Sequence, residues 1–96
     1  KLINLMKTTA CIVNTSRGKV WDEGTVTDAL LNHRIRGVAT DVVYEEVSKN
    51  PFDSPIFKID TTQYNCIITP HIAGATYDSM IMTEEFIAQK LISYVC

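Results

Sequence analysis

An arginine, three carboxylates and a histidine follow closely on short apolar runs of this chain. Arg17 comes after Ala10-Cys11-Ile12-Val13-Asn14, Asp41 with Glu45 and Glu46 after Gly37-Val38-Ala39-Thr40, and His71 after Cys66-Ile67-Ile68-Thr69-Pro70. These residue types form a usable chemical set. A fixed guanidinium binds a carboxylate bidentately. A histidine can exchange a hydroxyl proton as a carbonyl forms or disappears. A glutamate bonded to that histidine orients it and raises its pKa, which favours imidazolium when a carbonyl is to be reduced. Together they suit hydride transfer on a hydroxy acid.

Each residue also has an ordinary reading. Arg17 alone reads as a solvated residue past a strand, His71 as a side chain bonded to a loop carbonyl, and Glu45 and Glu46 as surface charges. Asp41 is harder to dismiss, because it interrupts an apolar run and needs partners or a ligand there. What weighs against coincidence is the order of the elements. In open parallel α/β sheets, ligands bind beyond the carboxyl ends of the strands, and all of these residues fall at that end.

The elements follow from the periodicity. Leu2 to Lys7 reads as a helix end or loop, and Ala10 to Asn14 as a buried strand. From Asp22 to His33 the period changes: Val26, Ala29, Leu30 and His33 recur at spacings of three and four, with Asp22 as N-cap. Arg34 and Arg36 suit the end of that helix, and Gly37 its stop. Gly37 to Val43 reads as a second strand, and Tyr44 to Gln63 as a long loop with a helical turn near Ser54–Lys58. Cys66 to Thr69 is a third strand, stopped by Pro70. Met82, Phe86, Leu91 and Val95 mark a long helix capped by Thr76 or Asp78. Apolar rather than alternating strands imply a parallel sheet covered on both faces. The fold class is therefore α/β, half of a doubly wound domain, and three strands make a poor independent sheet.

Composition narrows the function further. With 96 residues, 46% of them apolar, and a net charge of −2, the chain reads as a globular piece with no basic stripe for nucleic acid. Its longest apolar runs fall far short of the roughly 20 residues that span a bilayer. Cys11, Cys66 and Cys96 are scattered, with no CxxC and no Cys/His cluster, so no metal site and no disulfide framework is expected. Cys11 and Cys66 sit in apolar runs as small buried hydrophobes, and a reducing cytoplasm is the simplest compartment. The start at Lys1-Leu2-Ile3-Asn4 reads as the interior of a longer pattern, hence a fragment.

Three linked motifs then resemble the D-isomer-specific 2-hydroxyacid dehydrogenases across essentially the whole chain. They are Ile12-Val13-Asn14-Thr15-Ser16-Arg17-Gly18, Gly37-Val38-Ala39-Thr40-Asp41-Val42 with Glu46, and Thr69-Pro70-His71-Ile72-Ala73-Gly74-Ala75-Thr76. The tail from Glu84 to Tyr94 is similar to the phosphoglycerate dehydrogenase branch. The resemblance implies the carboxyl-terminal half of a Rossmann-like NAD-binding domain over residues 1–96. The glycine-rich loop half and the substrate domain would lie outside this chain, since no GxGxxG occurs in it. It implies catalytic roles for Arg17, which would bind the substrate, His71, the acid/base, and Glu46, its partner. Thr15, Ser16, Arg17, Asp41, His71, Ala73 and Gly74 would line the NAD site. Gly18 would give the backbone room to turn away. Val47 stands where the family usually has proline, the spacing from Asp41 favours Glu46 over Glu45 as the partner, and Trp21 replaces a small aliphatic residue.

A cytoplasmic enzyme acting on a 2-hydroxy or 2-keto acid, homodimeric or homotetrameric at full length, is the function implied. The fragment alone would be inactive. A non-catalytic, corepressor-like NAD-binding module of the same fold would retain the same motifs, and an inert remnant is the third reading.

Overall fold

In the computed structural model, residues 2–44 and 50–96 are described. Three parallel strands form one sheet in chain order: β1 (Cys11–Asn14), β2 (Gly37–Thr40) and β3 (Cys66–Ile68). Helix α1 (Glu23–Leu31) crosses from β1 to β2, and α2 (Tyr77–Val95) follows β3. Short 3-10 turns at Leu2–Leu5, Gly18–Val20, Pro51–Asp53 and Pro55–Lys58 fill the connections, the last of them where a helical turn was expected. The α/β parallel-sheet expectation holds.

Register explains which residues are buried. Ile12 pairs with Val38 and Val38 with Cys66, while Val13 pairs with Ala39 and Ala39 with Ile67. Successive side chains point to opposite faces of a strand. The first row therefore faces α1, where Val38 and Cys66 are buried with Val26, Ala29, Leu30 and Ile35 of the α1 region and Ile56 and Ile59 of the later turn. The second row is bare: Val13 is 66% exposed and Ile67 60%. This corrects two expectations, a sheet covered on both faces and a buried Cys11, which is exposed. The reason is that α1 and the turn at Pro55–Lys58 join the same cluster on one side, while α2 buries none of its residues.

Helix ends show a second difference. Asp22 caps α1 as expected, its carboxylate accepting from the Thr25 N–H at 2.8 Å. The far end stops earlier than Gly37. His33 takes a left-handed conformation (φ 55°), its N–H donates to the Leu30 carbonyl at 3.0 Å, and the Arg34 N–H donates to the Ala29 carbonyl at 2.8 Å. That pair of bonds is a helix stop usually built on glycine, and histidine tolerates the conformation better than branched residues. The ring stacks on Tyr64 at 5.7 Å. Gly37 instead opens β2, where an added Cβ would lie 2.4 Å from the Asn65 side-chain nitrogen. Arg34 and Arg36 consequently lie beyond the helix.

Strand β2 ends at Thr40 although Val42 and Val43 are also buried. The Thr40 hydroxyl bonds the Val42 carbonyl at 2.5 Å and accepts from the Val42 N–H at 3.3 Å. A side chain has taken over backbone groups that a continued ladder would need, so the chain turns off the sheet. At the other end of the chain Thr76 caps α2, accepting from the Ser79 N–H at 3.2 Å.

Candidate functional site

The carboxyl ends of all three strands are shaped by side chains bonded to nearby backbone. At the end of β1 the buried Asn14 accepts from the Ser16 N–H at 3.1 Å and donates to the Arg17 carbonyl at 2.9 Å. These bonds curl Thr15, Ser16 and Arg17 into an exposed rim. The Arg17 guanidinium donates to the Ser16 carbonyl at 2.7 Å and remains exposed. Directly after it, Gly18 packs on the tail of β2, where an added Cβ would sit 2.2 Å from the Val43 carbonyl oxygen. The glycine is thus required by close approach of two backbones rather than by the turn the sequence suggested.

At the end of β2, Asp41 is 5% exposed and fully engaged. One carboxylate oxygen accepts from the Thr69 hydroxyl at 2.5 Å and the Ile72 N–H at 3.0 Å, and the other from the Ala73 N–H at 2.9 Å. The Thr69 hydroxyl does most to hold its carboxyl below the usual carboxylate range. The Ala73 and Ile72 N–H groups and the charge of His71 add to this, against the opposing effect of burial. Asp41 is therefore a clamp on the loop that leaves β3.

That loop carries His71 on its exposed crest. His71 has a left-handed backbone (φ 54°), and its N–H donates to the Thr69 carbonyl across Pro70 at 3.0 Å. Asp41, Thr69, Pro70 and His71 border a cleft of about 330 Å³ whose other lining is apolar: Val43, Ile68, Phe52 and Phe57. Phe52 and Phe57 pack on each other with ring centroids 5.2 Å apart. Ala73 reaches the site through its N–H, and a Cβ added at Gly74 would meet nothing within 4 Å.

The structure thus brings Asp41, His71 and Ala73 together around one loop. Thr15, Ser16 and Arg17 stand on the neighbouring strand tip, joined to the cleft through the Gly18–Val43 contact, and Arg17 is not among the cleft-lining residues. Glu46, Glu45 and Val47 lie outside the described residues, so the expected His71–Glu46 pairing does too. Sequence reasoning missed three supporting residues. Asn14 had a usable signal, an asparagine two residues before the backbone it turns, whereas Thr69 and the buried Glu23 are recognisable only once distant segments meet. Among the described residues no group of three His, Cys, Asp or Glu side chains could hold a metal ion, and no helix is long and apolar enough to cross a membrane.

The arrangement presents a histidine beside an apolar slot, with a basic side chain exposed on the neighbouring strand tip. The Ala73–Gly74 backbone, where a Cβ added at Gly74 would meet nothing within 4 Å, and the exposed Thr15–Ser16 rim leave main chain open to close approach, so the residues present fit a dinucleotide's reactive end. Comparison with known proteins agrees. Residues 1–73 match the family model described as D-isomer specific 2-hydroxyacid dehydrogenase, NAD binding domain. D-3-phosphoglycerate dehydrogenase of Escherichia coli is 38% identical over 96 residues, covering 98% of this chain and 22% of that protein. A glyoxylate reductase of Korarchaeum cryptofilum is 37% identical over 89 residues, covering 93% and 25%. The crystal structure of D-lactate dehydrogenase from Aquifex aeolicus, complexed with NAD and lactic acid, superposes with a TM-score of 0.68. It is 28% identical, over 97% of this chain and 31% of that one. The chain spans about a quarter of the length of the curated relatives it matches. With its Rossmann-like parallel sheet and its loop of Thr69 to Gly74 clamped by Asp41, this chain belongs to the D-isomer specific 2-hydroxyacid dehydrogenase family, within the NAD-binding domain.

Proposed function

We propose that the chain is the carboxyl-terminal half of the NAD-binding domain of a dehydrogenase. The whole protein moves a hydride between NAD(H) and a D-2-hydroxy acid or its 2-keto acid, with 3-phosphoglycerate among the candidate substrates. The observation that carries this reading is the Asp41 clamp, which holds the His71 loop at the carboxyl end of the sheet beside an apolar cleft.

Bound nicotinamide supplies the hydride donor or acceptor; the residues of this chain do the rest. Thr15, Ser16, Ala73 and Gly74 would hold it, and Asp41 fixes the Ile72–Ala73 backbone of that loop. Arg17, presented at the tip of β1, binds the substrate carboxylate with its two-pronged guanidinium. His71 gives a proton to the carbonyl oxygen on reduction and takes it from the hydroxyl on oxidation. Glu46 is its partner, orienting the ring and favouring the imidazolium form. The 96 residues alone are inactive on this reading, because the remaining cofactor and substrate contacts lie elsewhere. At full length the protein is a cytoplasmic homodimer or homotetramer.

The test is steady-state turnover of the full-length protein with NADH and a series of 2-keto acids. His71→Asn should lower kcat by about 10²–10⁴-fold, the range of a positioned acid/base. Arg17→Lys should act mainly on KM for the keto acid, because a point charge replaces the bidentate fork. A protein that binds NADH yet reduces none of the acids would refute this reading and favour the non-catalytic module.

A further inference from the structure

Among the described residues, Glu23 is a buried carboxylate for which the proposed chemistry has no use. It opens α1 and is only 4% exposed. One carboxylate oxygen accepts from the Tyr44 N–H at 3.0 Å. The other accepts from the Ile56 N–H at 3.2 Å and from the Ser54 hydroxyl. A carboxylate this deep is costly unless its lone pairs are satisfied, and here three donors satisfy them. The amino end of a helix is also where negative charge is favoured.

The donors come from two separate stretches. Tyr44 directly follows Val43, which lines the cleft and presses on Gly18. Ser54 and Ile56 belong to the turns that carry Phe52 and Phe57, the aromatic wall of the same cleft. One side chain therefore ties that wall to the stretch after β2, in which Asp41, two residues before Val43, holds the His71 loop in its own network. We propose that Glu23 is a positioning residue: it sets the separation between the Phe52–Phe57 wall and the Asp41–Thr69–His71 rim. It thereby decides how large a 2-keto acid fits between them. This rests on the dehydrogenase reading above and adds a determinant of substrate size to it.

The experiment uses the full-length protein with glyoxylate as the small substrate and phenylpyruvate as the bulky one. Glu23→Gln keeps the size but turns an amide N–H₂ toward donors, and Ser54→Ala removes one donor while leaving the carboxylate. Thermal midpoints are recorded, and kinetics are run well below each of them. Glu23→Gln should raise KM for glyoxylate and shift the phenylpyruvate-to-glyoxylate ratio of kcat/KM upward by about tenfold, the scale of a small change in pocket fit, with KM for NADH unchanged. Ser54→Ala should move the ratio the same way by less, and it keeps the proposal testable if Glu23→Gln does not fold. A lowered thermal midpoint with the ratio within about twofold of the parent in both variants would make Glu23 a structural staple only and overturn the inference. An active parent with unaltered variants removes this inference alone, whereas a parent that reduces neither acid removes it together with the dehydrogenase reading.

Discussion

Replacing Gly18 by alanine tests whether the tails of β1 and β2 touch as described. The added Cβ would lie 2.2 Å from the Val43 carbonyl oxygen, 2.3 Å from its carbon and 2.6 Å from the Tyr44 nitrogen. Ordinary contact begins at 3.4 Å, so the two backbones must part by 3.4 − 2.2 = 1.2 Å. No flexible side chain is available to give way, because all three atoms are main chain. Val43 is buried in the core, and the Tyr44 N–H is held by Glu23. Overpacking a tight site costs about 1–3 kcal/mol, and a backbone neighbour places this case near about 3 kcal/mol. Gly24→Ala is the internal control: its Cβ meets only an Asp22 carboxylate oxygen at 3.5 Å, in the first turn of α1. That variant should gain about 0.5–1 kcal/mol, since alanine loses less backbone freedom on folding into a helix. Urea denaturation of the full-length protein, followed by far-ultraviolet circular dichroism, measures both. The two variants should move the midpoint in opposite directions. A Gly18→Ala protein within about 0.5 kcal/mol of the parent would refute the contact.

Further outcomes follow from the same geometry. Gly74→Ala should leave stability within about 0.5 kcal/mol, because its Cβ meets no protein atom, while KM for NADH rises; an unchanged KM would remove Gly74 from the cofactor contact. Asp41 has its carboxyl held below the ordinary 3.8, so the stability it contributes is complete above that value and is lost as pH falls through its lower folded value. Asp22 and Asp60 are shifted the same way by bonds to Thr25 and Thr62. The stability gap between parent and Asp41→Asn should therefore close below about pH 3.8 in acid titrations, and a gap constant from pH 7 to pH 2 would contradict the clamp. Thiol labelling under native conditions should find Cys11 and Cys96 reactive, both being exposed, and Cys66 slow, because burial pushes its thiol pKa up. Equal rates at Cys66 and Cys11 would refute the burial of β3 against α1.

Local signals were sufficient where a side chain acts on its own neighbours. Asp22 and Thr76 announce their helices because a cap bonds backbone three residues away. The order of strand and helix follows from the change in period between Val13 and Val26. Reasoning failed where the partner is distant in the chain. His33 could not be recognised as the stop of α1, because the ring that packs on it belongs to Tyr64. Gly37 looked like that stop, yet its reason is the Asn65 side chain. Cys11 and Val13 looked buried because an apolar run says that a strand prefers cover without saying whether these residues supply it. Of the candidate site, Asp41 and His71 were legible from their positions after strands. That one grips the loop of the other was not, nor was the role of Glu23.

The Asp41 clamp also accounts for a conformation that would otherwise be unfavourable. A histidine at φ 54° costs roughly 1–2 kcal/mol relative to the right-handed region. Such a residue persists only where its surroundings over-determine it. Here the determinants are on the page: the Thr69 hydroxyl before it and the Ile72 and Ala73 N–H groups after it all converge on one carboxylate. The loop is therefore held from both sides of His71 by contacts made within this chain. A ligand arriving at the cleft does not have to order the loop, so its binding energy is not spent on that ordering. The same logic explains why a carboxylate interrupts the apolar sequence after β2. Its position in the register lets β2 reach across to the loop after β3, and an apolar residue at 41 would leave the Ile72 and Ala73 N–H groups without their acceptor.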